Sequence, residues 1–290
     1  MNALPPAQRI PASRREWTTL LQMLGVRPSK GLGQHFLFER GIVDRMVRQA
    51  GIAAEDHVLE IGPGLGILTD ALLRRAGHVT AIELDRRLAD HLRGAFGSDP
   101  RFTLVEGNAL HLATSDLFPA QQPFSVVANL PYAVGSAVVR HLLEQQHRPR
   151  RLAIMLQAEV AARMVAQPPR MSILTVAVQF YADARIAFAV PPAVFIPPPT
   201  VESAVAILDV RPDFRLPAAE HPPFFRIVNA GFRHKRKQVA NSLAAELALP
   251  KAGVTAWLAA TGIDPMRRAQ TLTVAEWVAL TRARPASAAT

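Results

Sequence analysis

The stretch HVLEIGPGLG, residues 57–66, decides the fold of this 290-residue chain. Its first half, residues 57–61, is an apolar run typical of a buried β-strand. The glycines that follow, Gly62, Gly64 and Gly66, indicate a tight turn that leads into a helix. In open α/β sheets, ligands bind beyond the carboxyl ends of the strands, beside the first strand–helix turn. The stretch therefore predicts an α/β domain with a ligand site at this turn.

The same alternation of strand and helix patterns continues on both sides of the stretch. Strands are predicted over residues 57–61, 79–83, 102–106, 124–129, 152–157, 184–190 and 204–210, and helices over residues 39–50, 66–75, 86–95 and 135–145. Strand–helix alternation at this spacing implies right-handed crossovers and a mainly parallel sheet with helices on both faces.

Beyond residue 211 the strand pattern stops and only helices are predicted. They cover residues 223–232, 237–247, 254–260 and 274–282, after a proline-rich linker at 212–223. Residues 1–29 form a third region, with a short helix around residues 17–24. We therefore divide the chain into an N-terminal arm (1–29), a catalytic domain (30–211) and a C-terminal helical domain (212–290).

Composition excludes several classes of protein. Apolar residues make up 49% of the chain and charged residues 19%, which suits a folded core rather than wholesale disorder. The absence of cysteine excludes disulfides, thiolate metal sites and a cysteine nucleophile, and the nine histidines lack metal-ligand spacing. The long uncharged stretches contain several prolines, and the N-terminus lacks the apolar core of a signal peptide. We expect a metal-free cytoplasmic protein that is not embedded in a membrane.

Positive charge is concentrated at the two ends of the chain. The net charge is +10, of which residues 1–50 carry +5 and residues 211–290 carry +7, whereas residues 51–210 carry −2. Lysine and arginine release condensed counterions when they meet phosphates, so this distribution favours nucleic acid as a partner. Charge alone leaves open a simple solvated basic surface.

The spacing of the glycines bears on the ligand. The pattern is G-x-G-x-G, and Ile67 occupies the position where a dinucleotide fingerprint needs its third glycine. Glu83, about 20 residues beyond the loop, is placed to accept hydrogen bonds from ribose hydroxyls. Asn108, which follows the third strand, is a candidate contact for an adenine edge or a plain turn residue. A ribose acid without a diphosphate loop favours S-adenosylmethionine (AdoMet) over NAD, with a plain tight turn as the alternative.

The fourth strand ends in Asn129, Leu130, Pro131 and Tyr132. Pro131 fixes its own φ and keeps the preceding residue extended, which makes a rigid corner at the strand end. The Asn129 amide oxygen and the Leu130 carbonyl can both accept from one exocyclic amino group, and Tyr132 offers a ring on which a base can stack. The corner predicts methyl transfer to adenine N6, a reaction that depends on orientation more than on a strong base. An isolated string of this kind is otherwise a β-turn.

Six motifs in order carry a resemblance to a known family. They are GQHFL (33–37), EIGPGLGILT (60–69), NLPY (129–132), QAEVAAR (157–163), FIPPPTVES (195–203) and FRHKRK (232–237) followed by NSL (241–243). From about residue 30 to 243 the chain resembles the KsgA/RsmA family of small-subunit rRNA adenine N6,N6-dimethyltransferases, which are related to the Erm methylases. The resemblance implies a Rossmann-like AdoMet-dependent methyltransferase sheet with a smaller C-terminal helical domain. It also implies dimethylation of two adjacent adenosines near the 3′ end of small-subunit (16S) rRNA during ribosome biogenesis.

The resemblance also implies the residues of the site. The cofactor contacts would be His35, Leu37, Gly62, Gly64, Glu83, Asn108 and Asn129. The residues acting on the target adenine would be Asn129, Leu130, Pro131, Tyr132 and Phe195, with Phe195 and Tyr132 sandwiching the base. Two positions depart from the family pattern, which usually has Asn at position 35 and Asp at position 108.

The C-terminal domain holds the expected RNA contacts. Arg226, Arg233, Lys235, Arg236 and Lys237 suit phosphate binding, and Arg211, Arg215, Arg267 and Arg268 would extend the track. The partner implied by the family is rRNA within an immature small subunit, bound by a monomer. We expect the arm, residues 1–29, to be an RNA-contacting or disordered extension.

Two further functions remain open. An Erm-like enzyme would act on one adenosine of large-subunit rRNA, and its N-terminal motifs would be nearly the same. A catalytically weak assembly factor would keep the fold alone. The basic tail favours the small-subunit enzyme over the first alternative, and the intact NLPY and FIPPPTVES motifs argue against the second.

Overall fold

The computed structural model describes residues 10–28 and 33–285 and divides into two compact units. One unit comprises the chain up to Ala161 together with Ala184–Val210, and the other comprises Ala162–Asp183 together with the chain from Arg211. The helices are α1 (Arg14–Met23), α2 (Arg40–Ala50), α3 (Ile67–Leu73), α4 (Arg86–Phe96), α5 (Thr114–Leu117), α6 (Gly135–Glu144), α7 (Ala158–Met164), α8 (Ile173–Tyr181), α9 (His221–Phe232), α10 (Val239–Glu246), α11 (Lys251–Ala260) and α12 (Val274–Arg282). The strands are β1 (Phe36–Leu37), β2 (His57–Ile61), β3 (His78–Glu83), β4 (Phe102–Glu106), β5 (Phe124–Asn129), β6 (Arg151–Gln157), β7 (Ala182–Val190), β8 (Phe195–Ile196) and β9 (Ser203–Val210).

A seven-stranded sheet has the strand order β4-β3-β2-β5-β6-β9-β7. The first five strands in this order are parallel, and β9 runs antiparallel to β6. The chain leaves β2 toward β3 on one side and later places β5 on the other, so the strand order reverses between β2 and β5. Ligands bind at such a switch point, next to the glycine turn. The predicted α/β fold is confirmed, with the five parallel strands within one residue of their predicted bounds.

The core forms because strands and helices present continuous apolar surfaces to each other. Strand β5 is buried along all but its last residue, as expected for a parallel strand covered on both faces. Helix α4 buries Leu88, Leu92 and Phe96, which recur at four-residue spacing on one side. The Asp85 side chain caps its start by accepting from the Arg87 amide.

Part of the predicted arm belongs to this core. Ser13 caps α1 by accepting from the Glu16 amide, and the helix buries Trp17 and Leu21, one turn apart. Trp17 is only 1% exposed and belongs to the same apolar cluster as α2, α3 and β3. The expectation of a disordered arm is therefore wrong for residues 10–28. Residues 1–9 and 29 lie outside the described residues.

The helical unit contains a segment that the sequence-based division placed in the catalytic domain. Residues Ala162–Asp183 group with the helices beyond Arg211, because α8 packs against α9 and α12. Helix α8 is nearly all apolar and begins at a reciprocal cap between Ser172 and Thr175. None of the helices in the described part of the chain is both long and apolar enough to cross a lipid bilayer.

Candidate active site

A cleft opens at the carboxyl ends of β2, β3 and β5. Its wall includes the glycine turn, Glu83, the corner Asn129–Tyr132 and the GQHFL segment from Gly33. Gly62 and Gly64 have positive φ values of 67° and 61°, which L side chains rarely adopt. A Cβ on Gly64 would also lie 3.2 Å from the Phe36 ring. Four segments predicted to form one site therefore meet here.

Glu83 ends β3 with its carboxylate in the cleft and is 6% exposed. Its Oε1 accepts from the backbone amides of Leu84 and Asp85, both at 2.9 Å, and its Oε2 accepts from Gly64 at 3.1 Å. Burial raises the pKa of this carboxyl, and the three amide bonds oppose the rise. A carboxylate offers about four acceptor positions, so one remains for a ligand hydroxyl rather than the two that the sequence suggested.

Glu60 is a second carboxyl group in the cleft wall, and sequence analysis assigned it no role. It is fully buried, and the Thr69 hydroxyl donates to its Oε2 at 2.7 Å. Oε1 has no hydrogen-bond partner among the described residues. Burial raises the pKa of Glu60 to about 8. The signal in the sequence was a carboxylate inside an otherwise apolar strand, and such a group suits a cationic ligand.

The corner after β5 presents two acceptors. The Asn129 side-chain Nδ2 donates to the His35 backbone carbonyl at 3.4 Å, which fixes the amide orientation because a carbonyl only accepts. The amide oxygen of Asn129 is thereby left as an acceptor. Leu130 donates its amide to the Met155 carbonyl at 3.0 Å, and no backbone amide in the described part of the chain donates to the Leu130 carbonyl. Pro131 ends the strand, and its carbonyl accepts from Gly135 at the start of α6.

Tyr132 is held at both ends of its side chain. Its hydroxyl lies 2.5 Å from the Ser203 Oγ, and its ring centroid lies 5.1 Å from that of His35 at a 36° tilt. Burial raises the pKa of the Tyr132 phenol. Ser203, the first residue of β9, was part of a quoted motif but had no predicted role. These contacts fix the ring at the border of the cleft.

A second cavity shares part of this border. It is lined by Gly33, His35, Tyr132, Ala133, Gln157, Pro199, Thr200 and Val201. The GQHFL and FIPPPTVES segments meet beside it, because β1 and β8 pair with Leu37 opposite Phe195. Phe195 itself is fully buried in the apolar core and lines neither cavity. The expectation that its ring sandwiches a base does not fit this buried position.

Asn108 also lies apart from the cleft wall. Its side-chain oxygen accepts from the Leu110 amide at 3.0 Å, as a turn residue does. The remaining expected cofactor contacts, His35 and Leu37, both line the cleft. The structure thus brings together all the expected cofactor residues except Asn108.

The expected RNA contacts lie in the helical unit. Residues 233–237, named the basic segment here, follow α9, and Arg233, Lys235, Arg236 and Lys237 are exposed. Within the described ranges 10–28 and 33–285, no carboxylate forms an ion pair with any of these four. Arg226 lies half-buried in α9, and its Nη1 has no partner among those residues.

Two arginines of the suggested extension already form ion pairs within the protein. Arg211 forms an ion pair with Asp183, and Arg267 forms one with Glu276. His234, within the basic segment, lies 2.9 Å from a Glu246 carboxylate oxygen. The other two residues of the suggested extension, Arg215 and Arg268, are exposed and form no ion pair within the described part of the chain. Unpaired cations therefore lie both in the basic segment and at part of the suggested extension.

Comparison with known proteins gives a consistent set of relatives. The family model described as "Ribosomal RNA adenine dimethylase" matches residues 27–283. Two relatives named "Ribosomal RNA small subunit methyltransferase A" are 39% and 40% identical. The one from Dehalococcoides mccartyi covers 87% of each chain, and the one from Magnetococcus marinus covers 90% of this chain and 93% of its own.

Two solved structures are also similar. A dimethyladenosine transferase from Plasmodium falciparum has a TM-score of 0.70 and 25% identity, covering 85% of this chain and 96% of its own. The 23S rRNA methyltransferase ErmE has a TM-score of 0.67 and 28% identity, covering 86% of this chain and 98% of its own. The family match contains both the cleft and the basic segment.

Proposed function

Because the chain belongs to the ribosomal RNA adenine dimethylase family, we propose that it methylates two adjacent adenosines in a loop near the 3′ end of small-subunit rRNA. The protein is an AdoMet-dependent rRNA adenine dimethyltransferase, and the proposal concerns its target and its residues. Support for the target comes from relatives named for the small subunit, which are 39% and 40% identical, against 28% for the large-subunit enzyme. The monomer would act on an immature small subunit.

The cleft fits AdoMet by the chemistry of its donors and acceptors. Glu83 retains one acceptor position for a ribose hydroxyl, and the Oε1 of Glu60, which has no partner among the described residues, would accept from the ammonium group of the methionine portion. The backbone at Gly62 and Gly64 leaves room for close approach, and His35 and Leu37 complete the wall. When bound, AdoMet supplies an activated methyl carbon on a sulfonium.

The corner Asn129–Tyr132 would hold the target adenine. The Asn129 amide oxygen and the Leu130 carbonyl accept the two hydrogens of N6, which directs the nitrogen lone pair out of the ring plane. Adenine N6 is otherwise a poor nucleophile, because this lone pair is delocalised. Tyr132, anchored by Ser203, provides the stacking surface. The observation that carries this proposal is the Asn129 amide, whose bond to His35 fixes its oxygen as the acceptor.

The helical unit would provide the grip on RNA. Arg233, Lys235, Arg236 and Lys237 are exposed cations that form no ion pair with any other described residue, and Arg226 adds a half-buried guanidinium on the preceding helix. Contacts of this kind position the RNA, whereas recognition of the flipped adenine falls to the cleft.

The test is to map methylation on ribosomal particles that lack it. The protein is incubated with AdoMet and either small or large subunits, and RNA digests are analysed by mass spectrometry, with Asn129→Ala as the negative control. The proposal predicts two adjacent N6,N6-dimethyladenosines in small-subunit RNA alone. Methylation of a single large-subunit adenosine would support the Erm-like function, and no methylation of either particle would support an assembly factor.

A further inference from the structure

A third cavity lies entirely within the helical unit, and the site described above does not use it. Its volume is about 710 Å³, within the range of roughly 300 to 1,000 Å³ in which small ligands bind. One side is formed by one face of α9 and its C-terminal cap, where Pro222, Arg226, Asn229 and Arg233 recur at spacings of four and three residues. The end of α10 and the start of α8 form the rest. Helical spacing therefore places two guanidinium groups along one wall.

These two guanidinium groups have no anionic partner in the described chain. Arg233 is exposed, Arg226 is half-buried, and neither forms an ion pair with a described carboxylate. The Nη1 of Arg226 is shielded from solvent and donates to no described residue. A guanidinium group pairs well with an acceptor that offers two oxygens, such as a phosphate. This wall therefore suits a phosphate group.

A carboxylate limits the charge of that ligand. Glu246 is the one carboxylate among the described lining residues, and its Oε1 lies 2.9 Å from the Nε2 of His234. Two guanidinium groups and one carboxylate leave a net charge of +1 on the wall. A phosphodiester carries one negative charge, so it matches this wall better than a free phosphate or a polyphosphate does.

Most of the other lining residues are apolar. Phe225 and Leu247 are only 8% and 6% exposed. Phe232 is half-buried, and its ring centroid lies 5.7 Å from that of Trp277. A phosphate group alone would leave this apolar surface and most of the volume unfilled. Aromatic rings and guanidinium planes are the surfaces on which unstacked RNA bases stack, so the cavity combines a phosphate site with a surface for a base.

We propose that this cavity binds one unstacked nucleotide of the rRNA substrate, with its phosphate at Arg226 and Arg233 and its base against the apolar wall. This nucleotide differs from the target adenosine, because the corner that would hold that adenosine belongs to the other unit. The inference rests on the proposed function and extends it, since the helical unit then recognises a base as well as phosphates. RNA sequence is read mainly from unstacked bases, so the cavity contributes specificity.

The direct test titrates the protein with nucleotide diesters and follows its methyl groups by NMR, with AdoMet present throughout to fill the cleft. The probes are the methyl esters of adenosine, guanosine, cytidine and uridine 5′-phosphate, and the base-free control is dimethyl phosphate. The ring current of a bound base should shift the methyl signals of Ile173 and Leu247, which line the cavity. At least one nucleotide ester should shift them, and dimethyl phosphate should not. Equal shifts with dimethyl phosphate, or no shift with any of the four, would overturn the inference.

A substitution in the cavity gives a second measurement on the natural substrate. Asn229→Trp, at an exposed position of the wall, fills space with an indole and leaves every cation in place. Its affinity for unmethylated small subunits should fall about tenfold, within the range for loss of one stacked base. Chemical probing should show one base outside the methylated loop that wild type protects and Asn229→Trp does not. Ala256→Trp, at an exposed position of α11 outside the cavity, should behave as wild type, and circular dichroism checks that both variants are folded.

Failure of this inference differs from failure of the proposed function. If wild type and Asn229→Trp bind small subunits equally and protect the same bases, the cavity binds no nucleotide, while methylation of small subunits by wild type still supports the proposed function. If wild type methylates no adenosine of the small subunit, the proposed function fails, whatever the NMR titration shows.

Discussion

A set of paired arginines in the first unit and the cations of the basic segment differ in how their charge is used. Seven arginines of the first unit lie in ion pairs with carboxylates: Arg74, Arg87, Arg93, Arg101, Arg140, Arg150 and Arg151. The basic segment carries four cations without any such pair in the described chain. A guanidinium paired within its own fold has less to offer an external phosphate. Net charge alone would not have separated these two groups.

The cleft has the opposite character. Its ionised or ionisable groups are mainly acidic, Glu60 and Glu83, and its corner presents neutral acceptors. Such a surface suits a cationic cofactor and an amino group, whereas the basic segment suits a polyanion. We therefore expect that substitutions in the cleft abolish methyl transfer without loss of RNA affinity, and that substitutions in the basic segment do the reverse.

The largest expected effect is that of Asn129→Ala on methyl transfer. Loss of one oriented acceptor should lower the single-turnover rate by about 10² to 10³-fold, the cost of removing one preorganised group. Binding of RNA to the same variant should stay within about twofold of wild type. Asn129 carries no charge and is not one of the residues expected to bind phosphate. Quenched-flow assays and filter binding check the two values. If Asn129→Ala loses RNA affinity but keeps its rate of methyl transfer, Asn129 binds RNA and does not orient the adenine.

The next effect concerns the combined variant Arg233→Gln, Lys235→Gln and Arg236→Gln. Removing about three phosphate contacts should weaken RNA binding by roughly 10- to 100-fold and reduce the slope of log affinity against log salt by about 2 to 3. Affinity for AdoMet should not change.

A matched control removes the same charge from paired arginines. The variant Arg74→Gln, Arg93→Gln and Arg140→Gln neutralises three side chains that already have carboxylate partners. Its salt slope should stay close to that of wild type. Equal slopes for the two triple variants would mean that pairing does not decide which cations bind RNA.

The raised pKa of Glu60 predicts that the free energy of unfolding depends on pH. Its pKa is about 8 in the folded chain against 4.5 for the free group, so between these values the native state holds the extra proton. Stability from this group is therefore present below about pH 4.5 and is lost as the pH rises toward 8. Glu60→Gln should flatten the fall in the free energy of unfolding between pH 5 and 8, measured with urea, whereas Glu55→Gln at an exposed position should not. An identical slope in wild type and Glu60→Gln would refute the buried, protonated carboxyl.

The smallest effect is expected for Asn108→Asp. A carboxylate can keep the turn bond to the Leu110 amide with one oxygen, and the family resemblance implies that its other oxygen, with charge, would accept from the cofactor adenine. The dissociation constant for AdoMet should fall by about fivefold in calorimetry. If it does not change, Asn108 is a turn residue and not a cofactor contact.

Much of the fold was predictable because its signals are local. Strands β2, β4 and β5 are short segments rich in apolar and β-branched residues and bounded by turn residues, and their predicted bounds agree with the structure. Helix α8 was missed because its all-apolar sequence lacks a helical period, and only the cap formed by Ser172 and Thr175 distinguishes it from a strand. The burial of Trp17 was missed because one aromatic residue in a polar helix does not show what it packs against.

The site was predictable to the extent that strand ends converge in this fold class. Glu83 and Asn129 were placed by their positions after strands, and the structure brings both into one cleft. The bonds from Tyr132 to Ser203 and from His35 to Pro197 join residues 71 and 162 positions apart. No local pattern encodes such pairs, and the same is true of the burial of Phe195 against β1.

The most direct test of the division between cleft and basic segment is the single-turnover rate of the basic-segment triple variant at saturating small subunits. We expect a rate within about twofold of wild type, since the phosphate contacts hold the RNA but do not touch N6. A rate that stays depressed by tenfold or more when every protein molecule is bound would contradict it, because the basic segment would then take part in the chemistry.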